Sequence, residues 1–211
     1  VIPSPTDYDD FDPYHSTSWG RLEYQVATTA RLYFDFAVQD IENEKSERAL
    51  VNALSNAKRA LHLQVETLAN ALGFKIYSSK KRPNFHDYVG FCEKAGVVTP
   101  RILRKLNSIR NAVEHDYYIP DVSEVEDFID VVELFLSATD RFFFQFPLDA
   151  EFLPRKKVKD DAPDIHSIKL EAYSGEIRLI TYGVEREIKV SAKDESYYNW
   201  LHVLIEKVHR G

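Results

Sequence analysis

The chain has 211 residues and a formal net charge of −7, with 44% hydrophobic and 29% charged residues, the balance of an ordinary globular protein with room for one solid core and a smaller unit beside it. A single cysteine, Cys92, excludes an internal disulfide and a thiolate-rich zinc site, and fits a reducing, cytoplasmic compartment. The seven His and seven Gly show neither metal-ligand spacing, nor a phosphate-cradling loop, nor a nucleophile elbow, so no metal or other cofactor is expected.

Val1-Ile2-Pro3-Ser4-Pro5 lacks the basic and apolar regions of a signal peptide, and with no Met anywhere in the chain a processed or truncated start is expected. No apolar run reaches membrane-spanning length, so no membrane partner is expected. Residues 1–16 are rich in Pro, Asp, Tyr and Ser without periodicity and read as an extended arm that Tyr8, Phe11 and Tyr14 could pin to the body. From Trp19 to about Gln39 apolar residues recur at three and four (Trp19, Leu22, Val26, Tyr33, Phe36), with a gap at Thr29/Ala30. This predicts a first helix with Ser18 as its cap. Ser46 to Leu72 carries the cleanest stripe, through Leu50, Leu54, Ala57, Leu61, Val65 and Leu68, with Gly73 placed to stop it. His62, beside Arg59 and off the seam, reads as a surface histidine.

A basic loop follows over 74–84, then a short helix that Asn84 caps and that ends near Gly96. Thr99 and Pro100 suit the cap and first turn of the next helix, on which Ile102, Leu106, Ile109 and Val113 form one apolar stripe. Arg110, Asn111, His115 and Tyr117 crowd its last turns before Pro120 halts it. Either Asp121 or Ser123 can cap the following helix, which is predicted to run to about Phe146. Pro147, Pro154 and Pro163 mark a linker over 148–164. Beyond it the period switches to two, through Ile168/Leu170/Ala172, Ile177/Leu179/Thr181 and Ile188/Val190/Ala192. That predicts three strands in an antiparallel meander, and a helix from Ser196 to Val208 covers one face.

The pattern Arg110-Asn111-x-x-x-His115-x-Tyr117 resembles the signature of the HEPN family, and in its Tyr the longer form of the HepT-type toxins. The resemblance covers about residues 17–147. It implies a four-helix bundle, metal-independent cleavage of RNA, and two motif copies meeting at the cleft of a homodimer. A toxin or phage-defence role goes with it. The expected architecture is therefore mainly α: an arm over 1–16, an antiparallel HEPN-like bundle over 17–147, a linker over 148–164, and a three-stranded β-meander plus helix over 165–211.

The residue types fit that chemistry. His115 suits proton transfer near neutral pH, and the Arg110 guanidinium suits the charge that builds on a phosphorane. Asn111 lies four residues before His115 and can orient it, while Glu114 lies four after Arg110 and can hold it. Arg101, Arg104 and Lys105 on the same predicted helix offer a basic patch for RNA. An overall charge of −7 argues against a broad, non-specific binder of phosphate backbones. Two other readings stay open. One is a non-catalytic module of the same kind that binds RNA, nucleotide or protein. The other is a toxin silenced by nucleotidylation of Tyr117, which implies an antitoxin or nucleotidyltransferase partner. Tyr118 beside Tyr117 and the β-containing extension depart from that subgroup.

Overall fold

The computed structural model describes residues 2–7, 16–97, 119–152, 163–182 and 186–210. In chain order these form β1 (Ser16–Gly20), α1 (Ala30–Asn43), α2 (Glu47–Ala71), the single turn α3 (Phe74–Tyr77), α4 (Phe85–Lys94), α5 (Val122–Thr139), the single turn α6 (Arg141–Phe144), β2 (Phe146–Glu151), β3 (Ile165–Leu170), β4 (Glu176–Thr181), β5 (Glu187–Ser191) and α7 (Glu195–Arg210).

Local chemistry sets most of the helix ends. The Ser46 hydroxyl accepts from the Ala49 N–H at 3.3 Å to start α2. Gly73, at φ 101°, takes the left-handed conformation that stops it. Asn84 and Asp87 form a reciprocal capping box on α4, and Asp121 and Glu124 form another on α5. α4 closes in a Schellman turn: Val97 N–H reaches Cys92 O and Gly96 N–H reaches Glu93 O, both at 3.1 Å, with Gly96 at φ 78°.

α1 and α2 form an antiparallel hairpin, tied by Asn56 Nδ2 donating to Asp40 Oδ2 at 2.9 Å and by Arg59 over the Tyr33 ring. α5 runs antiparallel to α1, with Arg31 bonded to Asp140 at one end and Lys45 to Glu126 at the other. α4 packs on the C-terminal half of α2, where Tyr88 donates to Glu66 and Cys92 lies under Val65. The α2 stripe Leu54, Leu61, Val65 and Leu68 is buried throughout.

The expected mainly-α bundle with a three-stranded meander is corrected by the sheet. Among the described residues it has five antiparallel strands in the order β1-β2-β3-β4-β5, so the class is mixed α and β. The strands over Ile168–Ala192 do form a meander, but it continues into β2 and β1 on the far side of 153–162. Trp19 belongs to β1, so the first helix starts at Ala30, where the apolar stripe breaks, and its cap is Thr29 rather than Ser18. The helix expected to reach Phe146 ends at Thr139, and Phe146–Glu151 is a strand. Pro147 is tolerated there because it pairs only with Trp19, at a register shift, and β3 joins from Asp149 onward.

Helices and sheet share one core. Phe128, Val132 and Phe135 of α5 belong to the same buried cluster as Ile168, Ile177, Leu179 and Val190 of the sheet and Trp200, Leu201 and Leu204 of α7. At the junction the Tyr173 N–H donates to Ala71 O at 2.9 Å and the Tyr197 hydroxyl to Leu72 O at 2.7 Å. The Trp200 indole N–H reaches back to Pro3 O at 2.9 Å.

Candidate functional site

All of the site residues expected from sequence, namely Arg101, Arg104, Lys105, Arg110, Asn111, Glu114, His115 and Tyr117, fall within 98–118 and lie outside the described residues. Their frame is described on both sides. The chain enters from the Schellman turn at Gly96, where Val97 is buried, and leaves through exposed Ile119, buried Pro120 and the Asp121 capping box. The helices before and after, α4 and α5, both pack on α2. Of the other basic clusters, Lys80-Lys81-Arg82 lies in an exposed loop with Lys80 paired to Asp87, and 155–159 lies outside the described residues.

Two clefts flank the segment that leads into α1. The first, of about 490 Å³, is walled by Leu22, Val26, Phe143 and Phe144 over a polar floor. Beneath that floor the Tyr24 hydroxyl donates to Gln64 Oε1, and Gln64 Nε2 donates to Thr139 Oγ1 at 2.9 Å and Asp140 Oδ1 at 3.1 Å. Thr139 donates onward to Phe135 O at 2.8 Å, while Arg31 Nε holds Asp140 Oδ2 at 2.8 Å. Gln64 is fully buried, and Tyr24 stacks on Phe143 with ring centroids 4.7 Å apart. The network joins the 21–29 segment to three helices, with each of these donors matched to an acceptor. Burial pushes the Tyr24 phenol up to about 12, so at neutral pH it is a hydrogen-bond donor and not a base.

That shift sets a pH dependence. A folded-state value above the ordinary 10.0 means the neutral phenol is favoured in the fold. Its contribution to stability is then complete below pH 10 and lost as pH rises through about 12. Burial also raises Cys92, Tyr88, Tyr197 and Tyr198, so the difference between wild type and Tyr24→Phe isolates Tyr24. The gap in denaturant midpoint between wild type and Tyr24→Phe should be constant from pH 8 to 9.5 and narrow above 10. That variant should lose about 1–3 kcal/mol at pH 8, because it leaves buried Gln64 Oε1 without its donor. Equal alkaline slopes for the two proteins would reject the assignment.

The second cleft, of about 610 Å³, lies along α2 between Tyr33 on α1 and the α4 side. Lys58, Arg59 and His62 line it with Ser55 and Glu66. His62 is half-exposed, 3.8 Å from Glu66, with its ring against Phe85 at 5.6 Å and Tyr88 at 6.1 Å.

Sequence reasoning missed both clefts. The signal for the first was Gln64, a polar residue beside the α2 stripe where a leucine would be unremarkable. For the second it was three basic side chains within two turns of an otherwise mixed helix. Among the described residues no group of three or more His, Cys, Asp and Glu is placed to hold a metal ion, and no helix is long and apolar enough to cross a membrane. Comparison of the chain with protein-family models, with curated proteins and with solved structures gave no match.

Proposed function

We propose that this protein is a metal-independent endoribonuclease of the HEPN type, working as a homodimer in which Arg110 and His115 line a cleft shared by two chains. The observation that carries the reading is the pattern Arg110-Asn111-x-x-x-His115-x-Tyr117 at the end of one amphipathic stretch, with Pro120 behind it. The capped ends at Gly96 and Asp121 support it, because helices resting on one long helix lead into and out of that stretch.

In the reaction the ribose 2′-oxygen bonds to phosphorus as the bond to the 5′-oxygen breaks. A base takes the 2′-OH proton and an acid supplies one to the leaving oxygen. His115 suits these proton transfers and Arg110 the phosphorane charge. A helix end is too convex to enclose a phosphate by itself, and two of them facing across a two-fold axis make a groove.

The purified full chain, incubated in EDTA with single-stranded and structured RNAs, should cleave and leave 2′,3′-cyclic phosphate ends. Activity that disappears with chelator, or no cleavage of any RNA offered, overturns the proposal.

A further inference from the structure

We infer that the cleft along α2 is a binding groove for the phosphate backbone of single-stranded RNA, with Lys58 and Arg59 as its cationic wall, His62 beside them, and Tyr33 as a stacking surface. The ligand class rests on the ribonuclease reading, while the groove rests on its own geometry. Ser55, Lys58, Arg59, His62 and Glu66 fall within about 100° of the helical wheel, so one face of α2 carries them all. They extend along roughly 16 Å of helix, which gives an elongated track and not a point site.

The charge there runs against the chain as a whole. The protein carries −7 overall, yet among the described residues Glu66 is the one acidic residue lining this cleft, against the cations Lys58 and Arg59. Local cationic density on an acidic protein concentrates binding at one place and suppresses it elsewhere. The aromatic component is also present. The Arg59 guanidinium sits 5.9 Å over the half-buried Tyr33 ring, and a planar cation on a phenol is the kind of platform on which a base can stack. The Ser55 hydroxyl adds a donor for phosphate oxygens. The groove also neighbours the motif's frame: His62 packs on Phe85 and Tyr88 of α4, the helix that leads into 98–118.

The test is fluorescence anisotropy with a labelled 12-nucleotide oligo(U) RNA and the full chain carrying His115→Ala, so that binding is read without cleavage. In that background Lys58→Gln/Arg59→Gln should weaken binding roughly 25-fold at 0.1 M salt and lower the slope of log K against log salt by about 1.4, or 0.7 per cation. Lys58→Arg/Arg59→Lys, which keeps both charges, should retain most of the affinity. Glu66→Gln should bind more tightly.

Unchanged affinity and salt slope in the Gln pair overturns the groove, as does loss of binding in the charge-preserving pair. An acidic peptide such as hepta-aspartate that displaces the RNA at equal concentration assigns the groove to a protein partner and overturns it too. If the RNA binds here but the His115 protein never cleaves, the ribonuclease reading fails and the groove stands. If cleavage occurs and the Gln pair binds normally, the groove alone fails.

Discussion

Replacing His115 with alanine is expected to lower RNA cleavage by about 10²–10⁴-fold at neutral pH, the usual contribution of a positioned acid–base group. RNA affinity should hardly change, because an imidazole that moves protons in the transition state adds little to ground-state binding. Arg110→Ala should cost about 10²–10³-fold, and Arg110→Lys should recover only part of it, since a lysine keeps the charge but not the two-pronged donor geometry. Subunit exchange then distinguishes a shared site from one contained in a single chain. If Arg110 of one chain works with His115 of the other, mixing the two alanine variants restores one intact site in each mixed dimer. Cleavage by dimers shown to be mixed should return to a substantial fraction of wild type. Recovery of nothing from such dimers rules out the shared cleft, and full activity in His115→Ala rules out the chemistry.

The second large effect is expected at the junction of helices and sheet. Gly73 has φ 101°, and a Cβ there would sit 2.6 Å from the Gly175 Cα; a Cβ on Gly175, at φ 63°, would sit 2.6 Å from Ile76 Cγ1. The two backbones touch because neither residue has a side chain. Gly73→Ala should therefore destabilise by about 2–6 kcal/mol, combining left-handed strain with displacement of a backbone. Against a typical total of about 5–15 kcal/mol that is enough to leave the variant partly unfolded when warmed. Gly90 is the control: it lies exposed in the interior of α4, and a Cβ there meets nothing within 4 Å. Gly90→Ala should stabilise by roughly 0.5–1 kcal/mol through backbone entropy and helix propensity. Urea titrations of both variants check the pair; a Gly73→Ala protein as stable as wild type would show that the close approach is not required.

What the sequence made legible is what short-range chemistry determines. Ser46, the Leu50–Leu68 stripe and Gly73 specify α2 within a few residues of each feature, and the structure follows them. Asn84 and Asp121 cap their helices for the same reason. The misreadings fall where the deciding partner is far away. Trp19, Leu22 and Val26 have helical spacing, but Trp19 is set by pairing with Pro147, 128 residues on, and no local pattern reports that. Phe146–Glu151 likewise looks like the end of a helix running into a proline-marked linker until β1 and β3 are beside it. The Tyr24–Gln64–Thr139–Asp140–Arg31 network escaped notice because its five members come from four separated segments. Only Gln64, by its depth beside the α2 stripe, gave any hint.

The pairing of β1 with β2 also has a consequence for how the protein emerges during synthesis. The α1–α2 hairpin needs only contiguous chain, but Ser16–Gly20 has no partner until Phe146–Glu151 has been made. At about 5–20 residues per second that is a delay of roughly 7–26 s, during which an early strand is unpaired on the ribosome. Partners become available in the order of the α1–α2 hairpin, then β2 for the waiting N-terminal strand, and only afterwards β3 to β5 and α7. Slowed translation downstream of α5 would lengthen that window, and with it the opportunity for Ser16–Gly20 to pair with the wrong chain.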